Sequence, residues 1–128
     1  MKIVVCKDYD DVSRVMAEKV VEQIRKKPNL VFCLPAGNSP IGMYKYLVQM
    51  YKEGKADFSQ LRTFDMDEYA GLTPDDSHSF IYFMHQHFLD HVNINMDNVR
   101  YPKADAADLD AECKQYAQEI IDAGGLDI

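Results

Sequence analysis

Two short segments concentrate the residue types that can do chemistry. The first, Leu34-Pro35-Ala36-Gly37-Asn38-Ser39-Pro40, lies between an apolar run and an amphipathic one. A strand that ends in a glycine-containing turn and then opens a helix directs free backbone N–H groups, and the positive end of a helix dipole, at one place, which suits an anion such as a phosphate. Ser39 reads as the helix N-cap and Pro40 as the first helical residue, so the Ser39 hydroxyl either caps the helix or donates to the same anion. An ordinary strand-to-helix turn explains the same residues. The second segment, Thr63-Phe64-Asp65-Met66-Asp67-Glu68-Tyr69, crowds three carboxylates at the end of another apolar run. Close carboxylates raise one another's pKa, so one of them can accept a proton near neutral pH. A solvated acidic loop and a Mg²⁺ site are the competing readings.

Four histidines, His78, His85, His87 and His91, raise the question of a metal. His87 and His91 have the i, i+4 spacing of one helix face, but no zincin-type glutamate accompanies them, and a surface helix is the reading adopted. Cys6, Cys33 and Cys113 are an odd number without metal-ligand spacing, and the first two fall in apolar runs, so free core thiols are expected.

These segments need elements to carry them. Short apolar runs alternate with longer amphipathic stretches, the pattern of a parallel sheet covered by helices. Strands are expected at 3–6, 30–34, 61–64 and, briefly, 98–101. Helices are expected from Asp11 to the basic stop at Lys26 and Lys27, from Pro40 to near Gly54, from Phe80 to Leu89, and from Asp108 to Asp122 before Gly124 and Gly125. The fold class is therefore α/β, a Rossmann-like parallel sheet with helices on both faces, in one domain spanning 1–128. Leu126-Asp127-Ile128 reads as a new strand just beginning, so the domain is expected to be incomplete at its C-terminal end.

Composition narrows the partners. With 47% apolar residues the chain is a globular one. A net charge of −7 without dense Lys or Arg clusters excludes nucleic acid as a partner. The start, Met-Lys-Ile-Val-Val-Cys, turns polar at Lys7 and has neither a signal peptide's apolar region nor a membrane span, so a cytoplasmic location is expected.

Taken together, Pro-Ala-Gly-Asn-Ser-Pro at 35–40, Phe-Asp-Met-Asp-Glu-Tyr at 64–69, Ser-Phe-Ile-Tyr-Phe-Met at 79–84, Phe-Leu-Asp-His-Val at 88–92 and Asp-Ala-Glu-Cys at 110–113 resemble the successive signatures of the glucosamine-6-phosphate deaminases. The similarity runs in order through nearly the whole chain. It implies that the intact protein converts glucosamine 6-phosphate and water to fructose 6-phosphate and ammonia, without metal or organic cofactor. Asp67 matches the aspartate that moves a proton between C2 and C1 of the ring-opened sugar. Gly37, Asn38 and Ser39 match the turn that holds the substrate phosphate, and Glu68 matches a flanking position that shapes the substrate site. Members often assemble into homo-oligomers. Ala36, Asn38 and Phe80 depart from the Thr, Gly and Tyr common at these positions. The ring-opening aspartate, histidine and glutamate of the family lie on a glycine-rich motif just after the strand that starts at Leu126, and this sequence does not contain it. The 128-residue chain is thus expected to be inactive alone. A 6-phosphogluconolactonase-like hydrolase and a non-catalytic sugar-phosphate-binding half protein are the alternatives.

Overall fold

A computed structural model describes residues 3–128. The chain runs α1 (Tyr9–Lys26), β1 (Val31–Leu34), α2 (Ile41–Lys52), β2 (Arg62–Asp65), α3 (Phe80–His87), β3 (Val99–Arg100) and α4 (Leu109–Asp122), with short 3₁₀ turns at Leu89–His91 and Met96–Asn98. The three strands are parallel in the order β1-β2-β3. Each connection within this sheet passes through a helix, as parallel pairing requires.

Three of the four α-helices begin where side chains can satisfy their first amides. Asp8 caps α1 by accepting from Asp11 N–H at 2.9 Å, and Arg25 and Lys26 close it, complementing the helix dipole. Ser79 caps α3 and Asp108 caps α4 in the same way.

The sheet buries its two faces unequally. Leu30, Phe32 and Leu34 alternate onto one face and pack with Ala17, Val20, Val21 and Ile24 of α1, Met43, Tyr44 and Leu47 of α2, and Ile81 and Met84 of α3. Phe58 and Phe88 meet edge to face in this core at 5.3 Å between ring centroids. The other face holds Phe64, whose ring meets Tyr116 of α4 edge to face at 5.6 Å. Helices therefore cover both faces, although α4 has no fully buried residue of its own.

Three expectations need correction. Residues 3–6 form no strand, and Ile3 and Val5 are 73% and 91% exposed. A strand needs a ladder, and the edge of β1 turned away from β2 is already occupied: Asp127 N–H donates to Val31 O and Cys33 N–H to Ile128 O, both at 2.9 Å. The backbone of 127–128 thus lies where a parallel neighbour of β1 would lie. The cysteines are free, but Cys6 and Cys33 are only half-buried and Cys113 is exposed, so none is a core thiol. Finally, Ser39 does not cap α2. Pro40 occupies the cap position, makes no side-chain bond, and supplies the carbonyl to which Tyr44 N–H donates at 3.0 Å.

Candidate active site

The chain after β1 and the chain after β2 leave the sheet side by side. Leu34 and Asp65 are partners in the β1–β2 register, and Met66 N–H donates to Leu34 O at 3.1 Å. The 35–40 turn and the acidic 66–69 loop are thereby brought together at the carboxyl ends of neighbouring parallel strands. On the core face α2 leaves β1 toward β2. On the other face α4 leads to the backbone that lies along the opposite edge of β1. Connections that diverge in this way from one strand open a crevice at its carboxyl end, where open α/β sheets bind their ligands.

The turn is built from main chain. Gly37 has φ +97°, in the left-handed region, and a Cβ there would touch nothing within 4 Å, so the demand for glycine is conformational and not steric. Among the described residues the amides of Ala36, Gly37, Asn38, Ser39, Ile41 and Met43 have no hydrogen-bond partner. The turn is held at both ends by tyrosines. Buried Tyr44 donates its hydroxyl to Pro35 O at 2.8 Å, and its pKa rises through burial and the nearby Asp65 charge. The Tyr9 hydroxyl lies 3.1 Å from both Asn38 O and Ser39 O, and accepts from Gly42 N–H at 2.9 Å.

The acidic loop separates its three carboxylates. Asp65 shares the inward face of β2 with Leu61 and Thr63, is only 2% exposed, and has no hydrogen-bond partner for either carboxylate oxygen among the described residues. Burial first, and then the charges of Glu68 and Asp67, push its pKa up to about 8, so it holds its proton at neutral pH. Asp67 stands exposed two residues on. Glu68 turns toward α3: its carboxylate accepts from Phe80 N–H at 2.8 Å and Ile81 N–H at 3.1 Å, and also from Tyr69 N–H at 2.9 Å. Tyr69 packs its ring against Phe80 at 4.8 Å. Asp67 thus lies exposed on a loop that Glu68 and Tyr69 anchor to α3. That arrangement leaves one exposed carboxylate as a proton acceptor, beside a nest of unpartnered amides able to hold an anion.

The candidate site residues Gly37, Asn38, Ser39, Asp67 and Glu68 all fall in these two loops, which the strand register makes neighbours. Sequence reasoning counted Asp65 among the three acids without separating it from the others by its burial, and it overlooked Tyr9. Period-two alternation from Leu61 through Thr63 signalled the inward direction of Asp65. Nothing local to Tyr9 signals its reach across 33 positions to Gly42.

The histidines lie elsewhere. His85 pairs with Asp90 at 2.7 Å and His78 with Asp76 at 2.9 Å, His87 packs against Phe83 with its ring tilted by 48°, and His91 bonds Gln86 O. Among the described residues no group of three or more His, Cys, Asp or Glu side chains is placed to hold a metal ion. A groove of about 620 Å³ runs between α2 and α3, lined by Lys45, Val48, Lys52 and His87 among others, and touches neither loop.

A family model described as glucosamine-6-phosphate isomerases/6-phosphogluconolactonase matches residues 8–127. Over all 128 residues the chain is 47% identical to glucosamine-6-phosphate deaminase of Thermoanaerobacter pseudethanolicus, of which it covers 51%. It is 40% identical to glucosamine-6-phosphate deaminase 2 of Bacillus subtilis, again covering 51%. A solved monomeric glucosamine-6-phosphate deaminase superposes with a TM-score of 0.96 at 32% identity, over 99% of this chain and 53% of that one. The 6-phosphogluconolactonase of Thermotoga maritima superposes with a TM-score of 0.74 at 20% identity, over 94% of this chain and 53% of that one, a likeness of fold alone. The chain spans about half the length of the curated relatives it matches.

Proposed function

We propose that this chain, which belongs to the family of glucosamine-6-phosphate isomerases and 6-phosphogluconolactonases, is the part of a glucosamine-6-phosphate deaminase that holds the substrate phosphate and moves the proton. The observation that carries this reading is the pairing of β1 with β2, which sets Asp67 and the 35–40 turn side by side in a chain 47% identical to such a deaminase along its whole length. The amides of Gly37, Asn38 and Ser39 take the phosphate, with Ser39's uncapped hydroxyl free to add a further donor. Asp67 takes the proton from C2 of the ring-opened sugar and returns it to C1. The substrate's own carbonyl is the electron sink, and ammonia leaves as water completes the conversion to fructose 6-phosphate. Buried Asp65 keeps its proton, so the base is the exposed carboxylate beside it. Glu68 shapes the site by anchoring the Asp67 loop to α3.

Substrate, base and phosphate nest account for enolisation but not for ring opening, so the 128-residue chain is inactive by itself. The exposed apolar stretch Ile3-Val4-Val5 supports self-association of the isolated chain. No described helix is long and apolar enough to cross a membrane, and a cytoplasmic place fits a sugar-phosphate enzyme.

The deciding experiment assays the complete protein with glucosamine 6-phosphate and, separately, with 6-phosphogluconolactone. Ammonia release without lactone hydrolysis is the expected result. Lactone hydrolysis without ammonia would transfer the site to the other branch of the family, and binding of fructose 6-phosphate with neither activity would make the chain a binding module.

A further inference from the structure

Tyr9 is 55% exposed as a residue, yet its hydroxyl sits among three backbone groups of the 38–42 segment. It accepts the Gly42 amide at 2.9 Å and has one proton to give, shared between Asn38 O and Ser39 O at 3.1 Å each. The helix α1 brings it there. Tyr9 and Ser13 are one turn apart on the same face, and α1 lies so close to α2 at this point that a Cβ on Gly42 would collide with Ser13 Oγ and Cβ and come within 3.1 Å of the Tyr9 ring. A second tie, from Tyr46 hydroxyl to Asp10 at 2.8 Å, keeps the two helices in register.

We propose that Tyr9 is a positioning residue of the phosphate turn. Its hydroxyl holds the 38–42 backbone in its anion-binding shape and withdraws the Gly42 amide from the donor set. With Tyr44 fixing Pro35 O at the other end, the segment between is pinned at two points and its remaining amides are presented together. A site preorganised in this way does not have to order its backbone when the anion arrives, which lowers the cost of binding. The inference rests on the reading of the 35–40 turn as the phosphate holder.

The test is Tyr9→Phe in the complete protein, which keeps the ring against Gly42 and removes only the hydroxyl. KM for glucosamine 6-phosphate should rise about three- to tenfold, the loss of one or two hydrogen bonds' worth of positioning, with kcat within about twofold of the parent. Amide exchange at Gly42 should accelerate by a comparable factor, a readout independent of turnover. Gly37→Val is the companion variant. If it raises KM while Tyr9→Phe leaves both KM and Gly42 exchange unchanged, the turn binds phosphate and the tyrosine does not position it. If neither variant moves KM, the phosphate lies elsewhere and the underlying reading falls with the inference.

Discussion

At the N-terminus of α3 the first amides are all engaged by the protein: the Glu68 carboxylate takes Phe80 and Ile81, and the Ser79 hydroxyl takes Tyr82 at 3.1 Å. At the N-terminus of α2, which follows β1 as α3 follows β2, Pro40 caps nothing with its ring, Gly42 is held by Tyr9, and the amides of Ile41 and Met43 have no partner among the described residues. Both helix starts attract negative charge for the same electrostatic reason. One is filled by the chain's own acid and the other is open to an anion from outside. The contrast separates a structural use of the helix dipole from a ligand-binding use, and it divides the three acids of the 65–68 segment. Glu68 serves α3, Asp65 is sealed in the core, and Asp67 alone faces outward.

The strongest way to break this division is Asp67→Asn in the complete protein, which removes the proposed proton acceptor while keeping shape. Turnover should fall by about 10² or more, against a much smaller loss of fructose 6-phosphate affinity measured by calorimetry. Unchanged turnover would mean that one of the other two acids is the base.

Asp65→Asn sharpens the same division through pH. The folded pKa of Asp65 is raised to about 8 from an ordinary value near 3.8, so the folded state holds a proton that the unfolded state releases between these values. The stability contributed by that proton is fully present below about pH 4, is lost progressively as pH rises toward 8, and is flat above. An asparagine carries no such proton, so urea denaturation across pH 4 to 8 should show the variant gaining on the parent by on the order of a few kcal/mol at the alkaline end. Parallel curves for parent and variant would show that Asp65 is ionised and solvated.

Gly37→Val tests the open helix start. A β-branched residue at φ +97° costs about 1–2 kcal/mol of backbone strain with no clash to blame, because no atom lies within 4 Å of the added Cβ. KM for the phosphosugar should rise about tenfold as the turn relaxes away from its presented shape. An unaltered affinity for fructose 6-phosphate would place the phosphate away from this turn.

The legible parts of the molecule are those that local pattern determines. The buried apolar run ending at Leu34 and the periodic stretch after Asp11 appear as β1 and α1, within a residue or two at most ends. Both chemical loops were legible because strand ends in parallel sheets are where such residues gather. What local pattern could not express is pairing at a distance. The apolar run at 3–6 has a strand's composition but no ladder, since the β1 edge is taken from the far end of the chain by residues 127 and 128. Likewise Ser39 has the chemistry of a cap, but the helix starts one residue too late for it to act as one. Three adjacent acids look alike in sequence, and only the burial of one and the helix contact of another tell them apart.

Glu68→Gln is the smallest expected change and the most direct probe of the closed helix start. Glutamine keeps the shape and one acceptor oxygen but loses the charge and replaces the second oxygen with a donor, which cannot accept from Phe80 or Ile81. The loss is a charge-assisted interaction with a helix N-terminus, about 1 kcal/mol of stability, measurable by urea denaturation at neutral pH. Loosening of the clamp on Asp67 should lower kcat a few-fold. KM for glucosamine 6-phosphate should stay in place, because the proposed phosphate nest belongs to the other loop and keeps its own two tyrosine ties. A rise in KM with stability unchanged would show that Glu68 leaves α3 to meet the substrate, and the helix starts of α2 and α3 would then both belong to the binding site.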